Sequence, residues 1–214
     1  MKTLIFDFNG VLANDLRLHE DAYMTLAEKY KLPLTKEQLR AMMHKTSREK
    51  IVAITQSKDP KKIDQFLAEK EALYLMYAKQ RGVLFPETKD VVDRLSKKYV
   101  MAMVTNTTRR QLQMAVPADL LRKFQMILTY EDVKYPKPEP DSLYEVMREM
   151  QSSKKDTCYI GDAPSDIQTA HNAGIIGIGI TTGYHSEGDL HKAGADLIVH
   201  SLIELEKIQF PSLK

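Results

Sequence analysis

An aspartate at the end of a short apolar run is the first residue in this chain whose type and position suit a catalytic or metal-binding role. The stretch from Leu4 to Leu12 reads Leu-Ile-Phe-Asp-Phe-Asn-Gly-Val-Leu, and we expect a buried strand that carries Asp7 to its carboxyl end. Asn9 and Gly10 follow directly. An ordinary strand and turn give the same short pattern. The role of Asp7 therefore depends on what the other strands deliver.

Later apolar runs also end in polar or charged residues. If these runs form a parallel sheet, their carboxyl ends meet at one edge, where such sheets bind ligands. We therefore expect a single site at that edge. The residues concerned are Thr105 and Asn106 after the second strand, Lys134 and Lys137 after the third, and Asp162 and Asp166 after the fourth.

The carboxylates among these residues favour a metal site. Asp162 and Asp166 lie four residues apart across a predicted strand-to-helix turn, so both can point to the same side as Asp7. Such a cluster is costly without a cation, and Mg²⁺ is the usual one where a phosphate completes the oxygen ligands. Taken alone, Asp162 and Asp166 could instead be a helix N-cap and a first-turn acid.

The neighbouring groups suit phosphoryl transfer. Magnesium, the Lys137 ammonium and the Thr105 hydroxyl would stabilise the oxygens of a transferring phosphoryl group while Asp7 attacks in line. The product would be an aspartyl phosphate. Each residue also has a plainer interpretation, because Thr105 could end a strand, Asn106 could make a turn and Lys137 could belong to a rigid surface loop.

Composition limits the classes of protein that this chain can represent. Its 214 residues allow one full core and a smaller second unit, and its formal charge of +2 gives no strong attraction to nucleic acid or membrane. The single cysteine excludes an internal disulfide framework. Asp7 interrupts the first apolar run too early for a signal peptide, and no later run approaches the roughly 18 residues of a membrane span. We expect a cytoplasmic protein that acts on a small molecule, in an oligomeric state that the sequence does not predict.

Residues 15–82 are predicted to form a separate all-helical domain. This segment is charged, has no glycine before Gly82, and repeats apolar residues at helical spacing. Caps and prolines divide it into four predicted helices. These run from residue 16 to about Lys31 before Pro33, from the Thr35–Gln38 capping box to about His44, from a Ser47 N-cap to about Thr55, and from Asp59-Pro60 to residue 81.

Residues 1–14 and 83–214 are predicted to form an α/β core domain. Short apolar runs alternate there with amphipathic segments, which predicts a Rossmann-like, mostly parallel sheet with helices on both faces. The expected strands span residues 3–8, 99–105, 125–129, 157–160, 175–180 and 197–199. The expected helices span residues 88–98, 108–115, 140–150, 163–173 and 187–193.

The order of these features resembles the haloacid dehalogenase-like hydrolase superfamily over nearly the whole chain. The four motifs that carry the resemblance are Asp7-Phe8-Asn9-Gly10-Val11-Leu12, Val104-Thr105-Asn106, Lys137-Pro138-Glu139-Pro140 and Gly161-Asp162-Ala163-Pro164-Ser165-Asp166. The segments 193–196 and 201–205 resemble the superfamily's final strand and helix. The inserted helices are similar to the cap of the subgroup that includes phosphoglycolate phosphatase and β-phosphoglucomutase.

The resemblance implies a magnesium-dependent phosphatase for a small phosphorylated metabolite. It assigns Asp7 as nucleophile and metal ligand, Asn9 as a ligand through its backbone carbonyl, and Asp162 as a ligand. It makes Asp166 a residue that supports the ligands or binds the metal through a water, Thr105 a phosphate binder and Lys137 a charge neutraliser. It makes Asn106, Lys45, Arg48 and His19 candidates for substrate binding. On the helical domain, a solvated helix start is the alternative for Lys45 and Arg48, and a packed core residue is the alternative for His19.

Asn9 departs from the superfamily's usual pattern, in which an aspartate two residues after the nucleophile gives and takes a proton. An amide can do neither. The rate increase of about 100- to 10,000-fold that general acid and base catalysis usually contributes is therefore expected to be largely lost. The sequence leaves open whether asparagine is the natural residue at position 9.

Three other functions remain open at this level. A sugar-phosphate mutase would use the same residues, a phosphonate hydrolase would need a Schiff base on Lys45 or Lys50, and a non-catalytic phosphate-binding protein would keep the fold without turnover.

Overall fold

A six-stranded sheet organises the larger part of the chain, whose computed structural model describes residues 2–42 and 45–210. The strands lie in the order β3-β2-β1-β4-β5-β6, and all neighbouring pairs are parallel. This confirms the predicted Rossmann-like α/β fold. The strands are β1 (Thr3–Phe6), β2 (Val100–Val104), β3 (Met126–Leu128), β4 (Thr157–Gly161), β5 (Ile176–Ile180) and β6 (Leu197–Val199).

Continuous apolar runs form these strands because both faces of the sheet are covered. Leu4, Ile5 and Phe6 are fully buried, and Phe6 lies in register with Met103 on one side and Ile160 on the other. The chain extends the sheet to one side after β1 and to the other side from β4. Ligands bind at such a switch point, beyond the carboxyl ends of the strands.

The first strand ends two residues earlier than the sequence predicts. The Asp7 amide still donates to the Ile160 carbonyl at 2.9 Å, but the next residues turn away from the sheet. The Phe8 carbonyl accepts hydrogen bonds from the amides of Val11, Leu12 and Ala13 at 2.9–3.3 Å. A carbonyl used in this way cannot pair with a neighbouring strand, so the sheet ends and a loop begins.

The helices largely follow the predicted positions. They are α1 (Leu16–Lys29), α2 (Lys36–Ala41), α3 (Ser47–Thr55), α4 (Pro60–Arg81), α5 (Thr88–Ser96), α6 (Arg109–Ala115), α7 (Ala118–Leu121), α8 (Asp141–Glu149), α9 (Pro164–Ala173), α10 (Glu187–Lys192) and α11 (Leu202–Lys207), with a 3₁₀ turn at Lys154–Asp156. Helix α7 and the 3₁₀ turn were not predicted, because segments of three or four residues are too short to show a period.

The caps of the inserted helices are partly as predicted. Thr35 and Gln38 form the expected capping box, and Asp59 caps α4 with Pro60 at its first position. The N-cap of α3 is Thr46 and not Ser47, because the Thr46 hydroxyl accepts from the Glu49 amide while the Glu49 carboxylate accepts from the Thr46 amide. Helix α2 ends at Ala41, and its predicted end near His44 lies outside the described residues.

The chain divides into two compact units. One contains residues 1–14 and 83–214, and the other contains residues 15–82. The first has a core between the sheet and its helices that includes Ile5, Leu143 and Tyr159. The second has its own core around Tyr23, Leu39 and Ile51. Within the described residues, none of the helices has both the length and the apolar character that crossing a membrane requires.

Candidate active site

Asp7 lies at the carboxyl end of β1 and is held in one orientation. Its backbone amide continues the pairing with β4, and its Oδ1 accepts a hydrogen bond from the Phe8 amide at 2.7 Å. The residue is buried, with 6% of its surface exposed. The turn after β1 therefore fixes a carboxylate at the edge of the sheet where ligands are expected.

Lys137 connects two of the predicted carboxylates, although it is 130 residues from Asp7 in the sequence. Its Nζ donates to Asp7 Oδ2 at 3.0 Å and to Asp166 Oδ1 at 2.7 Å. The side chain is 8% exposed. Lys134, which the sequence also placed in this loop, is exposed. Of the two lysines, only Lys137 is part of the charged cluster.

The third carboxylate completes a compact group of acids. Carboxylate oxygens of Asp7, Asp162 and Asp166 all lie within 4.8 Å of one another, and the three residues are buried. The N-cap of α9 is Ala163, and Asp166 in the first turn of the helix accepts from the Ala163 amide through Oδ2 at 3.0 Å. Asp162 is therefore not the N-cap, and its side chain belongs to the acidic cluster.

Tyr159 is a member of this cluster that sequence reasoning did not predict. Its hydroxyl lies 3.3 Å from both Lys137 Nζ and Asp166 Oδ1, and it donates to the Val104 carbonyl at 3.2 Å. In the sequence it is one residue of a buried strand. A tyrosine within such a strand needs a partner for its hydroxyl, and that requirement was the available signal.

Burial and like charges make the cluster of Asp7, Asp162 and Asp166 electrostatically unfavourable unless a metal cation is bound. Burial raises the pKa of Asp7 to about 6, with the Asp166 charge adding to the rise and Lys137 opposing it. Burial, and then Asp166 and Asp7, hold the pKa of Asp162 well above its usual range. Burial alone would lower the pKa of Lys137, but Asp166 and Asp7 raise it well above normal. An oxygen-only donor set with unbalanced negative charge fits a hard divalent cation.

Two glycines leave room for Asp162. Gly10 has a φ of +70°, and a Cβ at this position would lie 2.6 Å from Asp162 Oδ2. A Cβ on Gly183 would overlap the same carboxylate. The Thr182 hydroxyl donates to the Gly10 carbonyl at 2.5 Å and so ties the two loops together. The contribution of Thr182 and Gly183 is not predictable from the sequence, because neither residue is ionisable.

The loop after β2 brings Thr105 to the same edge and places a second threonine against Asn9. Thr105 is buried, and its hydroxyl accepts from the Thr107 amide at 3.1 Å. The Thr107 hydroxyl donates to Asn9 Oδ1 at 2.6 Å. Asn106 lies between them and is exposed. Thr107 was not predicted, because its position only acquires meaning from the contact with Asn9.

The substrate-binding candidates of the helical unit differ in their surroundings. Lys45 and Arg48 are exposed, and Arg48 forms an ion pair with Asp64 on α4. His19 belongs to a polar cluster inside the unit. Its Nδ1 lies 2.6 Å from Lys70 Nζ, its Nε2 lies 3.4 Å from an Asp15 oxygen, and its ring stacks on Tyr74 at 4.3 Å.

This cluster contains two buried lysines. Lys70 and Lys50 are 3% and 7% exposed, and Lys70 lies over the rings of Tyr23 and Tyr74 at 5.1 and 5.3 Å. Burial, and then the charge of Lys50, lower the pKa of Lys70 to about 7. Burial lowers the pKa of Lys50 to about 8. Burial, and then Lys70, lower the pKa of His19 to about 4.

We expect Lys70→Met to stabilise the protein more at pH 6.5 than at pH 9.5. A lysine whose folded pKa is about 7 binds fewer protons than an unfolded lysine between about pH 7 and 10.5, so its destabilising effect is complete below pH 7 and disappears as the pH rises. The stabilisation at pH 6.5 should be on the order of a few kcal/mol. Thermal unfolding at the two pH values measures it.

The control is Lys79→Met, which removes an exposed lysine from the same helix and should change the melting temperature little at either pH. A Lys70→Met variant that is equally affected at both pH values would contradict the depressed pKa of Lys70.

Several bacterial phosphatases resemble this chain in sequence. Phosphoglycolate phosphatase of Photorhabdus laumondii is 31% identical over 134 residues, which are 61% of this chain and 57% of that protein. Phosphoglycolate phosphatase of Escherichia coli K12 is 29% identical over 130 residues, 60% of this chain and 52% of that protein. The match spans little more than half of these two relatives. Pyrophosphatase PpaX of Anoxybacillus flavithermus is 23% identical over 211 residues, 97% of this chain and 96% of that protein.

Solved structures share the fold. A predicted phosphoglycolate phosphatase from Haemophilus somnus 129PT superposes with a TM-score of 0.84 at 20% identity and covers 97% of each chain. CbbY from Rhodobacter sphaeroides, solved in complex with phosphate, superposes with a TM-score of 0.79 at 21% identity and covers 96% of each. The sequence model of the haloacid dehalogenase-like hydrolases matches residues 4–180. Because this match spans most of the chain, the chain belongs to the haloacid dehalogenase-like hydrolase family.

Proposed function

We propose that this chain is a magnesium-dependent phosphatase that transfers the phosphoryl group of a small metabolite to Asp7 and then to water. The observation that carries the proposal is the buried cluster of Asp7, Asp162 and Asp166, whose carboxylate oxygens lie within 4.8 Å of one another, with Lys137 bonded to two of them. The names of the curated relatives, two phosphoglycolate phosphatases and a pyrophosphatase, are consistent with it.

Asp7 is the proposed nucleophile because its carboxylate is fixed before substrate binds. The Phe8 amide and Lys137 hold its two oxygens, which limits the entropy lost on reaching an attacking geometry. An oxygen of Asp7 attacks phosphorus, and the bond from phosphorus to the leaving oxygen breaks. Lys137 and the Thr105 hydroxyl are placed at the same edge and would stabilise charge on the phosphoryl oxygens.

The residues present fit magnesium. Asp7, Asp162 and the backbone carbonyl of Asn9 would hold the ion, and Asp166, whose oxygens accept from Lys137 and the Ala163 amide, would contribute through a water. When bound, the ion would neutralise charge that develops on the phosphoryl group and would lower the pKa of the neighbouring acids. The strong desolvation of Asp162 supports this need for a cation.

The helical unit of residues 15–82 is the proposed cap. Caps of this kind exclude water and select the substrate's leaving group. Arg48 and Lys45 are exposed on this unit and could pair with an anionic group on the substrate. His19 is held within the polar cluster around Lys70, so its proposed contribution to substrate binding would be through that cluster.

A chelator test measures the magnesium dependence directly. We expect phosphate release from an aryl phosphate to fall to background with EDTA and to return when excess Mg²⁺ is added. Asp162→Asn should raise the Mg²⁺ concentration for half-maximal rate by at least about tenfold, because one charged ligand is lost.

Asp90→Asn, which changes an exposed acid on α5, serves as the control and should leave the Mg²⁺ dependence unchanged. Turnover that persists in EDTA would contradict the magnesium assignment. Product analysis with a sugar phosphate separates hydrolysis from transfer to a second hydroxyl.

A further inference from the structure

The side chain of Asn9 is held in one orientation by Thr107. The Thr107 hydroxyl donates to Asn9 Oδ1 at 2.6 Å. Thr107 is itself fixed, because it is 4% exposed, its amide donates to Thr105 Oγ1 at 3.1 Å and its carbonyl accepts from the Tyr130 amide at 3.2 Å. The carbonyl oxygen of the Asn9 amide therefore faces a donor, and its NH₂ group points away from Thr107.

The backbone on either side of this side chain is also fixed. Residue 9 forms a bridge with Ala13, and the Gly10 amide donates to the Ala13 carbonyl at 2.9 Å. Thr182 holds the Gly10 carbonyl from the other side. The turn after β1 thus holds residue 9 two positions after Asp7. Because Oδ1 of Asn9 accepts from Thr107, the NH₂ group is the part of this side chain that can donate a hydrogen bond.

A fixed amide donor suits some leaving groups and not others. An amide can donate a hydrogen bond but has no proton to transfer near neutral pH. An alcohol that leaves from an alkyl phosphate needs a proton, since an alkoxide is a strong base. A phosphate that leaves from a phosphoanhydride, or a carboxylate that leaves from an acyl phosphate, is a stable anion that needs no proton.

We propose that this site is specialised for activated phosphoryl donors, the phosphoanhydrides and acyl phosphates, whose leaving group departs as a stable anion and receives only a hydrogen bond from the Asn9 amide that Thr107 positions. This inference rests on the proposed function, because it assumes that Asp7 takes the phosphoryl group. It adds the class of substrate and gives Thr107 a role as a positioning residue.

Phosphorylation of Asp7 and its later hydrolysis both balance in bonds, charge and protons without an acid at position 9. In the first, an oxygen of the Asp7 carboxylate bonds to phosphorus, and the electron pair of the broken bond leaves with the phosphate or carboxylate anion. In the second, a water oxygen bonds to phosphorus, the electron pair of the acyl-phosphate bond returns to Asp7, and the water's proton passes to the released phosphate. The second step has no general base at residue 9, so it should be slow and phosphorylated Asp7 should accumulate.

The test compares leaving groups at constant magnesium. We expect kcat/KM of the native chain for acetyl phosphate to exceed that for glycerol 2-phosphate by at least about 100-fold, the lower end of what a general acid contributes. Pyrophosphate should behave like acetyl phosphate, and a series of aryl phosphates should become poorer substrates as the phenol becomes less acidic. Asn9→Asp should flatten the series, because the added carboxyl group can protonate a poor leaving group.

Thr107 is tested by the rate at which Asp7 becomes phosphorylated under saturating acetyl phosphate. Thr107→Val should lower this rate by about 2- to 10-fold, the worth of one hydrogen bond, with little change in the acetyl phosphate concentration at half saturation. Thr107→Ser keeps the hydroxyl and should restore the rate. A purely structural role for Thr107 would lower the melting temperature without this selective loss of rate and rescue by serine.

The outcomes separate this inference from the proposed function. Equal kcat/KM for acetyl phosphate and glycerol 2-phosphate, or the same leaving-group dependence in the native chain and Asn9→Asp, would overturn the substrate class while leaving a magnesium-dependent phosphatase. Absence of magnesium-dependent phosphoryl transfer from every one of these probes would contradict the proposed function, and this inference with it.

Discussion

Replacing Asp7 with asparagine is expected to reduce magnesium-dependent phosphate release by on the order of 10⁴-fold or more. Loss of a covalent nucleophile removes the whole two-step route and not one stabilising contact, which is why such losses are large. Asparagine keeps the shape of the side chain and can still accept from the Phe8 amide, which bonds Asp7 Oδ1 at 2.7 Å. It loses the negative charge that pairs with Lys137 at 3.0 Å.

Initial rates with acetyl phosphate, measured for the native chain and Asp7→Asn at saturating Mg²⁺, provide the comparison. Asp90→Asn makes the same chemical change at an exposed position on α5 and should keep the native rate. A melting temperature near that of the native chain would show that Asp7→Asn is folded. If Asp7→Asn retains magnesium-dependent turnover, a group other than the Asp7 carboxylate accepts the phosphoryl group.

Replacing Asn9 with aspartate is expected to raise turnover of glycerol 2-phosphate by about 100- to 10,000-fold, the usual contribution of a general acid and base. The site can accept this change, because the Thr107 hydroxyl that donates to Asn9 Oδ1 at 2.6 Å can donate equally well to a carboxylate. Nearby carboxylates favour a protonated form of an added acid. The same group could then take a proton from the water that hydrolyses phosphorylated Asp7.

Steady-state kcat for glycerol 2-phosphate, and the lifetime of phosphorylated Asp7, measure this gain. Asn14→Asp adds a carboxylate at an exposed position shortly after the same turn and should leave both quantities unchanged. If Asn9→Asp and the native chain turn over glycerol 2-phosphate at the same rate, residue 9 does not face the leaving oxygen.

The fold could be predicted from the sequence because the apolar runs, the helix caps and the alternation of strands with helices all indicate the same architecture. Fully apolar runs such as Leu4–Phe6 specify strands buried on both faces, and capping residues such as Thr35 and Asp59 mark helix starts. The errors are local. The first strand ends at Phe6 because the Phe8 carbonyl is used by the following turn, and no periodic pattern reveals which of Thr46 and Ser47 supplies a cap.

The candidate site could be predicted only in part. Asp7, Asp162, Asp166 and Lys137 were identifiable because chargeable groups at the ends of parallel strands converge. Tyr159, Thr107 and Gly183 were not, because their positions near the site depend on side-chain contacts across the sheet and between loops. The buried cluster around Lys70 is not predictable either, since in the sequence Lys70 is one of four lysines on a charged helix.

The most direct measurement is the covalent state of the native chain during turnover. The protein is mixed with acetyl phosphate and Mg²⁺, quenched with acid within the first turnovers, digested and examined by mass spectrometry. We predict one added phosphoryl group on the peptide that contains Asp7, at a higher occupancy in the native chain than in Asn9→Asp, because the amide of Asn9 cannot accept a proton from the attacking water. Turnover without phosphate on that peptide, or with phosphate on a different residue, would contradict Asp7 as the phosphoryl acceptor.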